Sequence, residues 1–516
     1  MTKPNAPPPP HAPLPDPSAT APDPRFAGRS VHLIGIGGCG MSGLARMLRR
    51  RGARVTGSDS TSSDTTMALR SEGIPVNHDQ RLGLLPDHCE RVIASAAIKP
   101  DHPEMLEAQA RGIEPMSYAE ALGLAQVGRT GVSIAGTHGK STTSSMLSHI
   151  LVSCGLDPSF IVGAVCPQIG GGSRTGGDSI PTGSLAGRPG ILVCEACEFN
   201  RSFHHHHPHL ALVNNIEEDH LDVYSGLDEI VEAFHGFARL VPAAAEGGRL
   251  LIAHEGAHRR TVTAGLTCAV STFGFNPDAD YQVRYEPRSG ATTLVRDGAE
   301  LASWNVRLPG EHNGLNSAAA AILAHWLGAS WDGIAAALSS FQGLDRRMQR
   351  LGSRALPASV GGGSVTVYDD YGHHPTECEK TLKAIRAAEQ PKRMICVFQP
   401  HQHSRTRFLL EQFAASFSTA DVVIVPHIYF VRDSETERTR VSAADLVDRL
   451  RHRGVCAMHL YPFEAIVEQL EAICRDGDLV VIMGAGPVWQ VARAFLDRGR
   501  QERGDDDAAS PRLGVA

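Results

Sequence analysis

No stretch of this chain approaches the roughly 20 apolar residues that a membrane-spanning helix needs, so no membrane insertion is expected. A long basic run is also missing, and the formal net charge is −7, which argues against nucleic acid as a partner. The first 28 residues, which include PPPPHAPLPDPSATAPDP, lack the apolar run of a secretory signal. The 11 cysteines are scattered through strand-like and helix-like segments, which excludes a disulfide framework and fits a cytoplasmic protein. Nor is there an internal repeat of fixed short period.

What is present is a soluble, multidomain composition. With 516 residues, 42% of them hydrophobic and 20% charged, the chain is too long for one ordinary core and predicts two to four domains. Residues 1–28 and 498–516 are polar or proline-rich and read as disordered tails. Between them the text alternates strand and helix in three blocks, 29–128, 129–343 and 344–497. QIGGGSRTGGDSIPTGSLAGRPG, inside the second block, is too polar for a core and reads as mobile. Farther on, YQVRYEPRSGATTLV alternates like a small antiparallel ribbon.

Two glycine loops carry the chemistry. GTHGKSTT (136–143) follows the buried strand pattern GVSIAG and opens a helix, although Ile134 stands where the usual phosphate loop has its first glycine. Gly136 and Gly139 permit close backbone approach, and the loop's backbone N–H groups are expected to point outward at the positive end of a helix dipole. Lys140 suits the β- and γ-phosphates, and the Ser141 or Thr142 hydroxyl suits magnesium. The bland reading, a turn with an incidental lysine, is weakened by Glu195 and His220. Both end later strand patterns, on the rim where such a loop opens, and both suit a metal or a reacting group.

GIGGCG holds G-x-G-x-x-G in Gly35, Gly37 and Gly40, with Asp59 ending the next strand. That pattern specifies a diphosphate on a helix N-terminus, whether of NAD or of a UDP-sugar. The cluster Cys194, Cys197 and His204 to His207 hints at zinc. It lacks a second cysteine pair at finger spacing, so Cys194 reads as core and the histidines as an exposed turn. Arg49, Arg50 and Arg51 read as a solvated helix end, and His374 as either catalytic or the cap of a helix starting at Pro375.

Taken together, GIGGCGMSGLA (35–45), SAAIKPDHPE (95–104), GTHGKSTT, EACE (195–198), NNIEEDHLDVY (214–224), PGEHNGLNSAAA (309–320), DDYGHHPTE (369–377), FQPHQHSRTR (398–407) and MGAGPVW (483–489) resemble the Mur ligase family. The resemblance runs from about Ser30 to Leu496. It implies an α/β fold of three domains: a Rossmann-like N-terminal domain, a central P-loop ATPase-like mixed-sheet domain and a C-terminal Rossmann-like domain. It further implies an ATP- and Mg2+-dependent ligase that joins L-alanine to the carboxylate of UDP-N-acetylmuramate through an acyl phosphate.

The resemblance also distributes roles. Gly136, Thr137, His138, Gly139, Lys140, Ser141, Thr142, Asn313, Asn316, Arg347 and Asp369 would bind ATP, and Ser141, Glu195 and His220 would hold magnesium. Gly37, Gly38, Cys39, Gly40, Met41, Ser42 and Asp59 would bind the UDP-sugar. Tyr371, His373, His401 and Arg405 would receive the substrate carboxylate and alanine, with Lys140, Glu195, His220 and His373 catalytic. The implied partners are small molecules alone, and the protein a monomer or weak homodimer. Three residues depart from the family pattern: Gln402 for a common Arg, Cys197 for Asp and Pro487 for Asp. They leave open a ligase that adds a preformed peptide instead of alanine. An NAD-dependent oxidoreductase built on GIGGCG and a non-enzymatic nucleotide sensor are the readings from other classes.

Overall fold

The computed structural model describes residues 25–357, 361–431 and 433–509. Three sheets form in chain order, one for each block. The first has five parallel strands in the order Val76–Asn77, Arg54–Ser58, Ser30–Ile34, Arg91–Ala94, Met116–Ser117. Successive strands lie to opposite sides of Ser30–Ile34, so a crevice opens at its carboxyl end, where parallel sheets bind ligands. The GIGGCG turn leaves from that point and feeds the helix Cys39–Arg50.

The central sheet has ten strands. From Leu210–Val213 through Thr130–Ala135 to Ile191–Glu195 they are parallel, with Val213 opposite Ala135 and Ile134 opposite Glu195. This register sets the phosphate loop and the segments after Glu195 and Val213 on one rim. The expected ribbon is present: Tyr281–Tyr285 and Ala291–Arg296 pair antiparallel, and Ala299–Asn305 extends them. The helix Glu311–Trp326 packs on Lys140–Ser153 through the buried run Ala318–Ala321, whose small side chains allow close approach.

The third sheet has six strands, parallel except for the edge strand Gln349–Ala355. Asp370, Met483 and Phe398 align across three neighbours, so DDYGHHP, MGAGP and FQPHQH open at one end.

Several expectations are corrected. Phe26 is fully buried in the first domain's core, and Arg25 Nη2 donates to Val127 O (2.9 Å), so the N-terminal tail ends before residue 25 rather than at 28. The rest of that stretch lies outside the described residues. At the other end the helix Trp489–Ala509 runs through most of the expected C-terminal tail, whose last seven residues, 510–516, are outside the described ones.

The segment read as mobile supplies the edge strand Ser173–Arg174, paired antiparallel to Ser159–Ile161, and Ser173 packs against Gly43 of the first domain. Of the arginine run, Arg49 and Arg50 are exposed in the last helical turn but Arg51 is buried. A composition rich in Gly, Ser and Pro conceals this pairing because the partners are distant in sequence.

The four histidines do not converge on a metal. His204 Nε2 donates to Ala233 O (2.8 Å) and its ring stacks on Phe203, while His206 is buried against Ser133 Oγ (2.9 Å). Cys194 is core, as read. Burial first, and then the neighbouring His207 and His205, push the His206 imidazole down to about 3. It therefore folds neutral, and the unfolded chain takes up a proton near pH 6.5 that the native state refuses. Stability should be full above pH 6.5 and fall as pH drops toward 3. Urea midpoints between pH 7 and 4 should show this fall, and His206→Gln should flatten it. An unchanged slope in the variant would refute the assignment.

Candidate functional site

The phosphate loop is held from both sides. Gly139 has φ of +81°, and a Cβ there would lie 2.5 Å from Asn316 Oδ1, so glycine is required on both counts. Gly139→Ala should therefore distort the loop and weaken ATP binding at least tenfold, which isothermal titration reads directly.

Lys140 begins the helix and folds back. Its Nζ donates to Gly136 O (2.5 Å), Thr137 O (3.1 Å) and both oxygens of Glu198 (2.9 and 3.2 Å). Burial opposes its charge, but Glu198, together with neighbours that include Glu195, holds the ammonium above the ordinary lysine range. Ser141 and Thr142 are buried in the first turn, Thr142 at the cavity wall.

Three acidic and imidazole groups gather beside Lys140. Donor atoms of Glu198, Asp219 and His220 lie within 4.8 Å of one another. His220 sits in the left-handed region at φ +54°, with Nε2 3.9 Å from Glu198 and 3.7 Å from Asp219. Burial lowers its pKa, so it presents a neutral ring. Glu195, expected as the metal carboxylate, is not in this cluster. Its Oε1 accepts from Gly163 N (2.5 Å), and Glu198 takes the central place instead. Glu198 caps a short helical segment in which Asn200 and Arg201 both have positive φ, and its carbonyl accepts from the Tyr224 hydroxyl.

The C-terminal domain closes the site. Arg405 donates from Nε and Nη2 to Asp219 Oδ1 (3.0 and 2.9 Å), a buried pair joining two domains. Burial opposes the Asp219 charge, yet Arg405 holds this carboxyl well below the usual carboxylate range. Arg405 Nη1 also meets His401 Nδ1 (3.3 Å), His401 faces His373, and His373 faces Tyr371. Tyr371, His373, His401 and Arg405 thus form one cluster, as expected. Burial brings His373 down to about 4, so it is neutral at physiological pH. His374 accepts from Thr376 N and so forms the expected cap of the helix Pro375–Glu389.

A cavity of about 90 Å³ lies between the two domains, lined by His138, Gly139, Thr142, Asn313, Asn316 and Arg347 among others. His312 and Lys380 line both it and a chamber of about 390 Å³ walled by Phe275, Tyr285 and Leu315. Asp369, expected at the nucleotide, is absent from this wall. It bonds Arg346 Nε (3.3 Å), and its neighbour Asp370 lines the cavity, because successive strand residues face opposite ways. Burial raises Asp370 to about 6 despite Arg347 and two backbone donors, Met348 and Gly372.

In the first domain Asp59 Oδ2 accepts from Gly37 N (2.9 Å) and Oδ1 from Thr61 N (3.0 Å), so this acid braces the turn. Gly38 is the helix cap, and a Cβ at Gly40 would lie 2.5 Å from the Tyr118 hydroxyl. Cys39 Sγ donates to Val162 O (3.4 Å) and links the turn to the central domain. Met41 and Ser42 are buried, with Ser42 Oγ donating to Cys39 O (3.0 Å) and Ser42 N to Gly38 O (2.8 Å). Sequence reading missed Asp219, Glu217, Glu377 and Asp370. The acidic run IEEDH and the pair of aspartates in DDYGHHP were the available signals.

A central P-loop domain flanked by two parallel α/β domains, with both glycine loops at strand carboxyl ends, defines a multidomain nucleotide-dependent α/β enzyme. Residues 30–126 match the model of the Mur ligase family catalytic domain, 134–324 the Mur ligase middle domain, and 346–486 the Mur ligase glutamate ligase domain. The chain belongs to the Mur ligase family. It is 36% identical over 474 residues to the UDP-N-acetylmuramate--L-alanine ligase of Acetivibrio thermocellus, covering 91% of this chain and 96% of that one. The enzyme of the same name from Salinibacter ruber is 35% identical, with 91% and 94% covered.

Two solved structures share the fold at 23% identity, each covering 92% of this chain and 99% of its own. They are the UDP-N-acetylmuramate-alanine ligase of Thermotoga maritima, with a TM-score of 0.72, and a murein peptide ligase of Psychrobacter arcticus, with 0.69.

Proposed function

We propose that this protein is a cytoplasmic, ATP- and Mg2+-dependent ligase that joins L-alanine to the carboxylate of UDP-N-acetylmuramate, releasing ADP and phosphate. The observation that carries the reading is the convergence of Lys140, Glu198, His220 and Arg405 from two domains on one rim. Relatives named for the L-alanine reaction, 35–36% identical along 91% of this chain, support alanine over peptide. Among the described residues no helix is long and apolar enough to cross a membrane.

The residues fit the nucleotide and its metal. The glycine loop leaves no room for side chains at its tightest point, and a carboxylate–imidazole cluster stands beside the lysine. Magnesium, when bound, would neutralise phosphate charge, held by Ser141 with Glu198 and His220, and Glu195 within reach of the same rim.

Lys140 would leave Glu198 for the γ-phosphate, while the backbone N–H groups of the loop receive the β-phosphate. Asn313, Asn316 and Arg347 would hold the nucleoside side, with Asp369 acting on it only through Arg346. The turn from Gly37 to Ser42, braced by Asp59, would bind the UDP diphosphate. Arg405 and His401 would orient the two carboxylates. Neutral His373 would accept the proton that the alanine amine sheds as its C–N bond forms, with Tyr371 packed beside it. A monomer or weak homodimer suffices, since every group named comes from one chain.

The test is a substrate panel of purified protein, ATP, magnesium and UDP-N-acetylmuramate with L-alanine or an L-alanyl tripeptide. Phosphate release should need L-alanine. Release with tripeptide alone would replace this reading by the peptide-adding one, and tight NADH binding unaffected by UDP-sugar would replace it by an oxidoreductase.

A further inference from the structure

A second cluster lies on the seam between the central and C-terminal domains, outside the groups assigned to magnesium. Donor atoms of His138, Glu217 and His374 lie within 4.8 Å of one another, one each from the phosphate loop, the segment after Val213 and the start of the helix Pro375–Glu389. His138 Nε2 is buried without a hydrogen-bond partner, 3.5 Å from Glu217 Oε2. The two imidazoles are 4.6 Å apart between centroids.

What distinguishes the cluster is the orientation of its rings. Glu377 Oε1 lies 3.3 Å from His138 Nδ1 and Glu217 Oε2 3.5 Å from Nε2. Burial opposes the charge, but the two carboxylates raise the imidazole to about 9, so an entering ion displaces the Nε2 proton while Glu377 keeps the one on Nδ1. Glu218 O, which only accepts, lies 3.0 Å from His374 Nε2 and fixes the proton there. His374 Nδ1 is consequently an acceptor, and it takes the Thr376 N–H at 3.3 Å. Each imidazole thus has a backing acceptor on one nitrogen, and the other, protonated in His138 and engaged by the Thr376 N–H in His374, is the one an ion would take. This is how histidine ligands are oriented at metal centres. Two imidazoles and one carboxylate with a fourth position open is a donor set for zinc, and poor in oxygens for magnesium.

We propose that His138, Glu217 and His374 form a binding site for a divalent transition metal that clasps the C-terminal domain onto the phosphate loop. The ion enters past Glu217, whose side chain is 33% exposed, and exchanges for the Thr376 N–H at His374 Nδ1. Because His138, Thr376 and Glu377 also line the nucleotide cavity, a bound ion opposes ATP entry.

Equilibrium dialysis of the full chain with Zn2+, in excess magnesium and without nucleotide, tests this. One zinc per chain should be retained, and both Glu217→Gln and His374→Ala should weaken its affinity at least tenfold. Glu377→Gln, which removes the carboxylate behind His138 but none of the three ligands, should weaken it about tenfold. Circular dichroism of the metal-free variants checks that they fold. Zinc K-edge absorption supplies a readout independent of substitution, and two imidazoles with one carboxylate are expected. Failure of the wild type to retain zinc would overturn the proposal. So would zinc lost only on replacing His204 to His207, or a first shell containing sulfur. Dialysis reads none of the ligase chemistry, so its outcome stands apart from that of the substrate panel.

Discussion

Lys140→Ala is expected to reduce ligation by about 10³-fold or more while leaving UDP-sugar affinity unchanged. A single preorganised donor at a developing charge contributes about 10² to 10³ in rate, and cations on a transferring phosphoryl group contribute up to about 10⁵. Lys140 is the cation nearest the loop carbonyls and is already desolvated against Glu198, whose side chain is 3% exposed. Its loss also leaves that carboxylate unpaired beside the incoming phosphates, adding repulsion to the missing attraction. The double variant Lys140→Ala/Glu198→Gln should therefore lose less than the sum of the singles, in the manner of coupled neighbours. The UDP-sugar turn belongs to another domain, so titration with UDP-N-acetylmuramate should give the wild-type affinity. Equal loss at both sites would contradict this division of labour.

Asp219→Ala should be the next most damaging change. Arg405 and Asp219 are 7% and 8% exposed and meet across the seam of two domains. Removing one partner of a buried pair costs about 3–5 kcal/mol because the other charge stays desolvated. Here the cost falls on the closed arrangement, since opening the seam returns Arg405 to water. The expected result is a fall in kcat/KM of about 10² to 10³, with KM for L-alanine rising more than KM for ATP. Thermal unfolding of the central domain should change little, because the open form escapes the penalty. A variant with normal alanine kinetics would show that the pair is structural only.

The features legible in the sequence were those with local causes. GTHGKSTT and GIGGCG announce themselves because glycine, a preceding strand and a following helix are contiguous, and each loop lies between such a strand and helix. The three α/β blocks were legible for the same reason. The carboxylate beside Lys140 was not. Glu195 and Glu198 are near-equivalent in EACE, and what separates them is their tertiary partners, Gly163 N for Glu195 and Lys140 Nζ for Glu198, both distant in sequence. The Arg405–Asp219 pair spans 186 positions, a separation that a single sequence cannot encode visibly. Similarly, Ser173–Arg174 is a strand only because Ser159–Ile161 offers an edge to pair with. The histidine run looked like a metal motif by composition, whereas tertiary packing turned its members apart and brought His138 and His374 together from distant loops.

The sharpest single experiment follows oxygen. UDP-N-acetylmuramate labelled with ¹⁸O in its carboxylate is incubated with ATP, magnesium and L-alanine, and the released phosphate is weighed by mass spectrometry. If the turn at Lys140 delivers the terminal phosphoryl group to the sugar's own carboxylate, one heavy oxygen must depart with each phosphate. Phosphate carrying only light oxygen, alongside amide product, would mean that the carboxylate is never phosphorylated.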